Sequence, residues 1–400
     1  MAASRTSLNV LMAVSTPGYG VTHPLIAPAL MLKRRGLNMI TVSSEKERDR
    51  GLKAKLKENG IKYYECNYID GISPWSIWKG ARKINQVINS EGIDVIHAQG
   101  FLHLIRAYLA CRLLTRKQKP AIVETVHYYA HGTRYEKLFL AVVPRLMNLY
   151  ADLVMPVSEI IGQKLIKHGL SPSKCLPVHN SIDLEELNHQ LSTGGSLPEL
   201  SNLAQQLSGC PVIIYPATLN PWKGHHYYLE AACQVVKEFP KAKFIVAGGG
   251  PLRKKLEQTA SDLGIAESVI FTGWIKYESL PLLLVKVDIG AFPSLAELLP
   301  LSVLDMMAAA KPVVATNVAG IPEMVVDGES GFLVPPRDST ALAKGIMELL
   351  RDPQKAQRMG ARGRKIVEER FSMDVIAAEF ERVYELARAR ASGRIGSRTK

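Results

Sequence analysis

The sequence lacks any uncharged apolar run of about 18 residues, the length a membrane-spanning helix needs. The nearest candidate, Leu138 to Val157, is interrupted by Arg145 and Asp152. It also lacks a cysteine pattern. The five cysteines are odd in number and show no Cys-x-x-Cys or Cys/His spacing, which excludes a disulfide framework and a zinc site of the usual kind. Their apolar settings, such as Leu109-Ala110-Cys111 and Ala231-Ala232-Cys233, predict reduced, buried thiols. No Gly-x-Gly-x-x-Gly follows a strand with an acidic residue about 20 positions on, so a dehydrogenase fingerprint is missing. There is no short-period repeat and no low-complexity tract, which excludes a solenoid. The first residues, MAASRTSLNVLMAVSTPGYG, contain an apolar run of only about seven residues, and a Pro-Gly turn ends it before any small-residue cleavage site. That run predicts a first β-strand, and the expected location is cytoplasmic.

What is present fits a folded protein of two domains. The 400 residues exceed the size at which one hydrophobic core stops growing. Apolar residues at 47% and charged residues at 22% are ordinary for a globular chain. The net charge of +13 is unevenly placed: residues 1–190 hold 25 Lys/Arg against 15 Asp/Glu, and residues 191–400 hold 25 against 22. The excess in the first half serves either solubility or attraction to an anionic bilayer or acceptor. Nothing in it points to nucleic acid.

Short buried-strand patterns alternate with helical ones throughout. Leu8 to Val14, Met39 to Ser43, Val95 to His97, Ile122 to Val126 and Leu153 to Val157 read as strands, and apolar residues three and four apart between them read as helices. The alternation restarts with Val212 to Pro216, Lys243 to Ala247, Val269 to Thr272, Asp288 to Phe292 and Pro312 to Thr316. The pattern predicts an α/β chain with two doubly wound, parallel-sheet, Rossmann-like domains. Their boundaries fall at residues 1–185 and 210–372, with a Ser/Gly/Pro-rich linker at 186–209. Past Gly331 the pattern is helical, a last helix covers 373–390, and residues 391–400 form a basic, disordered tail. Open sheets of this kind bind ligands outside the carboxyl ends of their strands, which directs a ligand to a central cleft faced by both domains.

The loop Ser294 to Leu299 follows a strand and leads into a helix predicted over Pro300 to Ala310, with Pro300 suited to the first helical position. The amides of Leu301, Ser302 and Val303 at that helix start make an anion site. Glu297 precedes the start and Asp305 lies eight residues later, so two carboxylates able to accept hydrogen bonds from hydroxyls flank it. Taken alone, both are as readily exposed surface acids. A second constellation, PATLNPWKGHHYYLEA, joins a strand end to a helix beginning near Lys223-Gly224. Gly248-Gly249-Gly250-Pro251 follows another strand and is either a tight turn or a backbone approach to a phosphate. In the first half, PGYGVTH places Gly18 and Gly20 after the first strand, and His127 ends a strand in ETVHYYAHG, with His97 a weaker candidate of the same kind.

The stretch PSLAELLPLSVLDMMAAAKPVVATNVAGIPEMVVDGESGFLVPP resembles the donor-binding signature of family-four retaining glycosyltransferases, which have the GT-B architecture. The likeness runs from Leu8 to about Arg390 and is strongest from Phe292 to Pro335. It implies that Glu297 contacts a donor sugar and that Asp305, where the family usually has Glu, binds ribose hydroxyls. Leu298 stands where the family prefers Gly. Lys223 matches the lysine of the family's pyrophosphate anchor, and Thr218 stands where the family typically has Arg. His127 matches the family histidine that approaches the sugar. Gly18, Gly20, Gly249 and Gly250 fall at backbone approaches, Trp274 and Ile275 at the nucleobase, and Leu298, Leu299, Leu301 and Ser302 at the loop and helix amides around the donor. Asn180 and Asp183 echo the segment that ends the first domain. The last helix is expected to cross back onto the first domain.

The expected activity is transfer of a hexosyl unit from a nucleotide-sugar to an acceptor hydroxyl with retained anomeric configuration. The acceptor is a lipid-linked or cell-surface glycan precursor, with peripheral contact to an anionic membrane face. Catalysis rests on Glu297, His127 and Lys223. No Asp-x-Asp lies on the loop, so no metal and no cofactor beyond the nucleotide-sugar substrate are expected. A nucleotide-sugar-binding protein that has lost or weakened transfer is the alternative, motivated by Thr218 and Asp305, and a nucleotide-sugar epimerase is a third class that the signature argues against.

Overall fold

The computed structural model describes residues 7–14, 22–44, 50–115, 119–127, 136–193, 203, 205–275 and 279–393. The chain divides into two compact units, one formed by Met1–Asn180 with Met373–Lys400 and one by Ser181–Ser372.

The first unit is built from β1 (Asn9–Ala13), α1 (Thr22–Arg34), β2 (Asn38–Ser43), α2 (Arg50–Glu58), β3 (Lys62–Glu65), α3 (Pro74–Glu91), β4 (Val95–Gln99), α4 (Phe101–Arg112), β5 (Ala121–Val126), α5 (Glu136–Tyr150), β6 (Leu153–Pro156) and α6 (Glu159–Lys167). Its sheet is parallel in the order β3-β2-β1-β4-β5-β6. The central strands are continuously buried, as strands covered by helices on both faces must be.

The second unit continues with α7 (Leu184–Thr193), β7 (Val212–Pro216), α8 (His225–Glu238), β8 (Lys243–Ala247), α9 (Arg253–Asp262), β9 (Val269–Gly273), α10 (Leu280–Leu284), β10 (Ile289–Phe292), α11 (Leu301–Ala308), β11 (Val313–Thr316), α12 (Ile321–Met324), β12 (Gly331–Val334), α13 (Ser339–Arg351) and α14 (Pro353–Arg370). Its sheet order is β12-β11-β10-β7-β8-β9, which is the first unit's order repeated. Strand order therefore reverses between β1 and β4 in one unit and between β7 and β10 in the other, and ligands of such sheets bind at those points. The last helix, α15 (Met373–Ala391), belongs to the first unit and buries Ile376, Phe380, Val383 and Tyr384 against its core.

Four expectations change. Residues 186–193, read as linker, belong to α7, and the division falls at Asn180/Ser181, where Ile182 N–H donates to Phe371 O at 2.9 Å. The stretch after Gly331, read as helical, begins with the edge strand β12. The helix read over Pro300 to Ala310 is shorter, and Pro300 is its N-cap (φ −70, ψ 120). Of the cysteines, Cys66, Cys111 and Cys175 are buried, whereas Cys210 and Cys233 are half-buried. Among the described residues no helix is long and apolar enough to cross a membrane.

Candidate functional site

In the second unit, β7 and β10 are neighbours, with Ile213 in register with Ile289, so the loops leaving their carboxyl ends lie side by side at the switch point. After β7 the chain makes a 3₁₀ turn over Pro221–Lys223 and reverses at Gly224 in the left-handed region (φ 66), which is also the N-cap of α8. Glycine is required there twice over: by that φ, and because a Cβ would sit 2.2 Å from Pro293 O. The two loops are tied together by Leu295 N–H donating to Trp222 O at 2.8 Å.

This apposition brings Lys223 and Glu297 into contact. Lys223 Nζ donates to Glu297 Oε1 at 2.6 Å, and the two side chains are only 19% and 10% exposed. The same oxygen accepts from Ser294 Oγ at 2.7 Å. Ser294 Oγ lies 2.7 Å from Tyr215 OH, which donates to Lys223 O, also at 2.7 Å. A closed ring of polar contacts thus joins the ion pair to the strand ends. Thr316 on β11 anchors the loop from the other side, its hydroxyl donating to Ser294 O at 2.6 Å. Burial, and then the charge of Glu297, push the Tyr215 phenol well above its usual range, so it stays a neutral donor. His225 is buried with its ring 4.7 Å from that of Tyr215, and burial followed by the Lys223 charge lowers it to about 3.

Beyond Glu297, the loop runs into α11. Val303 N–H is engaged by Pro300 O at 3.2 Å, so the open amides at this helix start are those of Leu301 and Ser302. Asp305 is 5% exposed, which replaces the surface reading of this acid with a buried one. Leu299 is buried at 3%, so its side chain is closed to a ligand. Leu298 is half-buried, and its carbonyl lies so close to Gly320 that a Cβ there would fall 2.0 Å from it.

The three glycines after β8 are explained by the chain itself. A Cβ on Gly248 would meet Ala217 O at 2.1 Å, and one on Gly250 would meet Leu219 O at 2.8 Å. The intervening Gly249 lies under the indole of Trp274, where a Cβ would come 2.3 Å from Nε1. The glycine turn therefore supports the loop carrying Thr218 and seats Trp274, which is half exposed at 51% beside the partly buried Ile275. Thr218 Oγ1 accepts from Asn220 Nδ2 at 3.1 Å.

In the first unit, His127 follows the end of β5, and its Nε2 lies 2.5 Å from Gln99 Oε1 at the end of β4. Gln99 Nε2 reaches His97 Nε2 at 3.3 Å, Thr125 Oγ1 lies 2.6 Å from the same nitrogen, and His97 Nδ1 lies 2.7 Å from Tyr384 OH on α15. The amide fixes the proton pattern: Gln99 Oε1 accepts from His127 Nε2–H, leaving His127 Nδ1 as an acceptor. His97 in turn accepts at Nε2 and donates from Nδ1 to Tyr384. Burial lowers His127 to about 4; burial and then the His127 charge lower His97 to about 3, so both rings are neutral. His97, read as a ligand candidate, is fully buried with both nitrogens engaged, and acts as an internal link. Gly18 and Gly20 lie outside the described residues.

The sequence points to Lys223, Glu297 and His127 but gives little sign of Tyr215, Ser294, Thr316 and Gln99, which hold them in place. Serine two residues past a strand end, three before Glu297, was the one local signal available.

Residues 204–366 match the family model described as Glycosyl transferases group 1, and residues 29–186 match that described as Glycosyltransferase Family 4. The N-acetyl-alpha-D-glucosaminyl L-malate synthase of Bacillus anthracis is 28% identical over 315 residues, covering 76% of this chain and 77% of that enzyme. A GDP-mannose-dependent alpha-(1-6)-phosphatidylinositol monomannoside mannosyltransferase of Mycolicibacterium smegmatis is 35% identical over 161 residues, which span 38% of this chain and 42% of that enzyme. The crystal structure of Anabaena HepE in complex with UDP and glucose superposes with a TM-score of 0.78 at 22% identity, covering 95% of this chain and 99% of that one.

Proposed function

The chain belongs to the family-four, group 1 glycosyltransferases, and we propose that it transfers a hexosyl unit from a nucleotide-sugar to a hydroxyl of a lipid-linked or cell-surface glycan precursor, with retained anomeric configuration. In the transfer, the bond from the anomeric carbon to the diphosphate breaks with its electron pair leaving on phosphate. The acceptor oxygen bonds to that carbon and gives its proton to the departing diphosphate oxygen. The chemistry asks the protein chiefly for charge stabilisation of the departing diphosphate and for orientation of the sugar.

The observation that carries this reading is the Lys223–Glu297 pair held beside the α11 start at a switch point. Lys223 and the amides of Leu301 and Ser302 supply positive potential for a diphosphate. Glu297, positioned by Ser294, offers an acceptor to sugar hydroxyls, Asp305 is assigned to the ribose, Trp274 and Ile275 to the base, and His127 to the sugar through Nδ1. Neither a metal nor a further cofactor takes part in this scheme. We place the reaction at the cytoplasmic face of the membrane, where a lipid-linked acceptor is reached.

Thr218 favours a second reading. Its hydroxyl carries no charge where the family has arginine, and Lys223 is held by Glu297, so a protein that binds nucleotide-sugar and transfers slowly fits the same site. A thermal-shift panel of UDP-, GDP-, ADP- and dTDP-sugars, followed by transfer assays with the stabilising donor, tests both. Stabilisation without transfer to any hydroxyl acceptor selects the second reading, and no stabilisation by any donor removes both.

A further inference from the structure

Large apolar side chains gather on one surface of the first unit. Ile72 is 79% exposed, Trp75 59%, and Tyr68 and Trp78 41% each. Single exposed apolar residues are ordinary, but a contiguous group of them marks an interaction surface. Spacing of three and four along α3 puts Trp75, Trp78, Lys79 and Arg82 on one face, while Ala81, Ile84, Val87 and Ile88 bury the other. The indoles of Trp75 and Trp78 stack with centroids 5.3 Å apart and planes 16° apart.

Cations are interleaved with these rings. Lys79 Nζ lies 4.4 Å from the Tyr68 centroid and 4.8 Å from that of Trp75, and it donates to Tyr68 OH at 3.0 Å. The Arg82 guanidinium lies 4.9 Å from Trp78 and Lys83 Nζ 5.6 Å from Tyr64. Among the described residues no carboxylate stands within ion-pair distance of Lys79, Arg82 or Lys83. No ion pair among the described residues therefore neutralises their charge.

We propose that this face, from Ile72 to Arg82, docks on an anionic lipid bilayer. Indole and phenol rings are amphipathic and settle at headgroup depth, Ile72 inserts beside them, and Lys and Arg stems lie along the apolar surface while their heads meet lipid phosphates. A cation held over a ring is positioned without a protein anion, which leaves it for phosphate. A sugar platform needs an open ring face, whereas each indole here already has a ring partner and a cation beside its face. A protein partner would call for matching acidic groups, a requirement an anionic membrane meets without sequence-specific complementarity. The proposal rests on the lipid-linked acceptor reading for its purpose.

Co-sedimentation of the full chain with phosphatidylcholine vesicles, with and without phosphatidylglycerol, at low and high salt, tests it. The wild type is expected to bind the anionic vesicles and to be released by salt. Ile72→Asp, and separately Lys79→Glu with Arg82→Glu, are expected to lower binding about tenfold or more. Circular dichroism monitors folding, and Ile72→Asp alters a side chain so exposed that the fold does not depend on it. Absence of wild-type binding, or equal binding by the variants, overturns the proposal. Protection of the indoles from a soluble quencher by an anionic polysaccharide and not by vesicles also overturns it and assigns the face to glycan. Thermal stabilisation by nucleotide-sugar is unchanged in Ile72→Asp, so failure of vesicle binding stays distinguishable from failure of the transferase reading.

Discussion

Lys223 Nζ lies 2.6 Å from Glu297 Oε1, joining loops that leave two strands 70 or more residues apart in the chain. The pair has a consequence for mutagenesis. Removing either side chain leaves the other charge part-buried and unmatched, so each loss includes both the missing contact and the stranded partner. Lys223→Ala and Glu297→Ala are each expected to lower kcat by about a hundredfold or more, in the range seen when one preorganised charge contact is removed. The double variant falls well short of the product of the two effects, a non-additivity that steady-state kinetics with the stabilising donor measures.

Tyr215→Phe removes the hydroxyl that meets Ser294 and the Lys223 carbonyl while keeping the ring that packs on His225 and Phe292. Denaturant unfolding is expected to show a loss of about 1–3 kcal/mol, the cost of a buried acceptor left unmet. The parallel effect on turnover falls on kcat more than on KM, because Glu297 is loosened and not removed.

How much of this was legible in the sequence follows from what is local. The central strands announced themselves because burial on both faces leaves continuous apolar runs, as in Val10 to Ala13 and Phe244 to Ala247. Two of the four edge strands did not, although the edges β6 and β9 were legible: β3 reads Lys-Tyr-Tyr-Glu with both ends exposed, and β12 is four residues opening on Gly331. Of the site, Glu297 and Lys223 sit in recognisable stretches, but their contact depends on β7 pairing with β10, which no local pattern encodes. His97 and His127 look alike in sequence, each near the end of a buried strand. Only the placement of Tyr384, 287 residues away from His97, separates the internal link from the ring whose Nδ1 remains an acceptor.

Gln99 is the residue that sets the His127 tautomer. Gln99→Glu places a carboxylate against Nε2–H, which favours the imidazolium and raises the His127 pKa from its low native value of about 4. The pH–rate profile of the variant is expected to gain a step at higher pH than the wild type shows, with activity rising as the ring deprotonates. Gln99→Leu instead frees the ring and lowers kcat without adding that step.

Glu124 supplies a pH-dependent stability with a definite sign. Burial raises it from 4.5 to about 8, so the folded state holds a proton that the unfolded state has lost between those values. Its contribution is present below about 4.5 and is lost as pH rises towards 8. His97 and His127 act in the opposite sense: lowered to about 3 and 4, they weaken the fold as pH falls below 6.5. Glu124→Gln is expected to raise the melting temperature at pH 8 and to change it much less at pH 4.5, as calorimetry at the two pH values will show.

Central to the proposed transfer is a diphosphate site formed by Lys223 and the α11 start and organised by Glu297. Isothermal titration of the wild type and Lys223→Ala with the nucleoside diphosphate of the most stabilising donor tests it without requiring an acceptor. The wild type is expected to bind, and Lys223→Ala to bind more weakly by about tenfold or more, since hydrogen bonds to charged groups contribute about 1.5–3 kcal/mol. Equal affinities in the two proteins would contradict it.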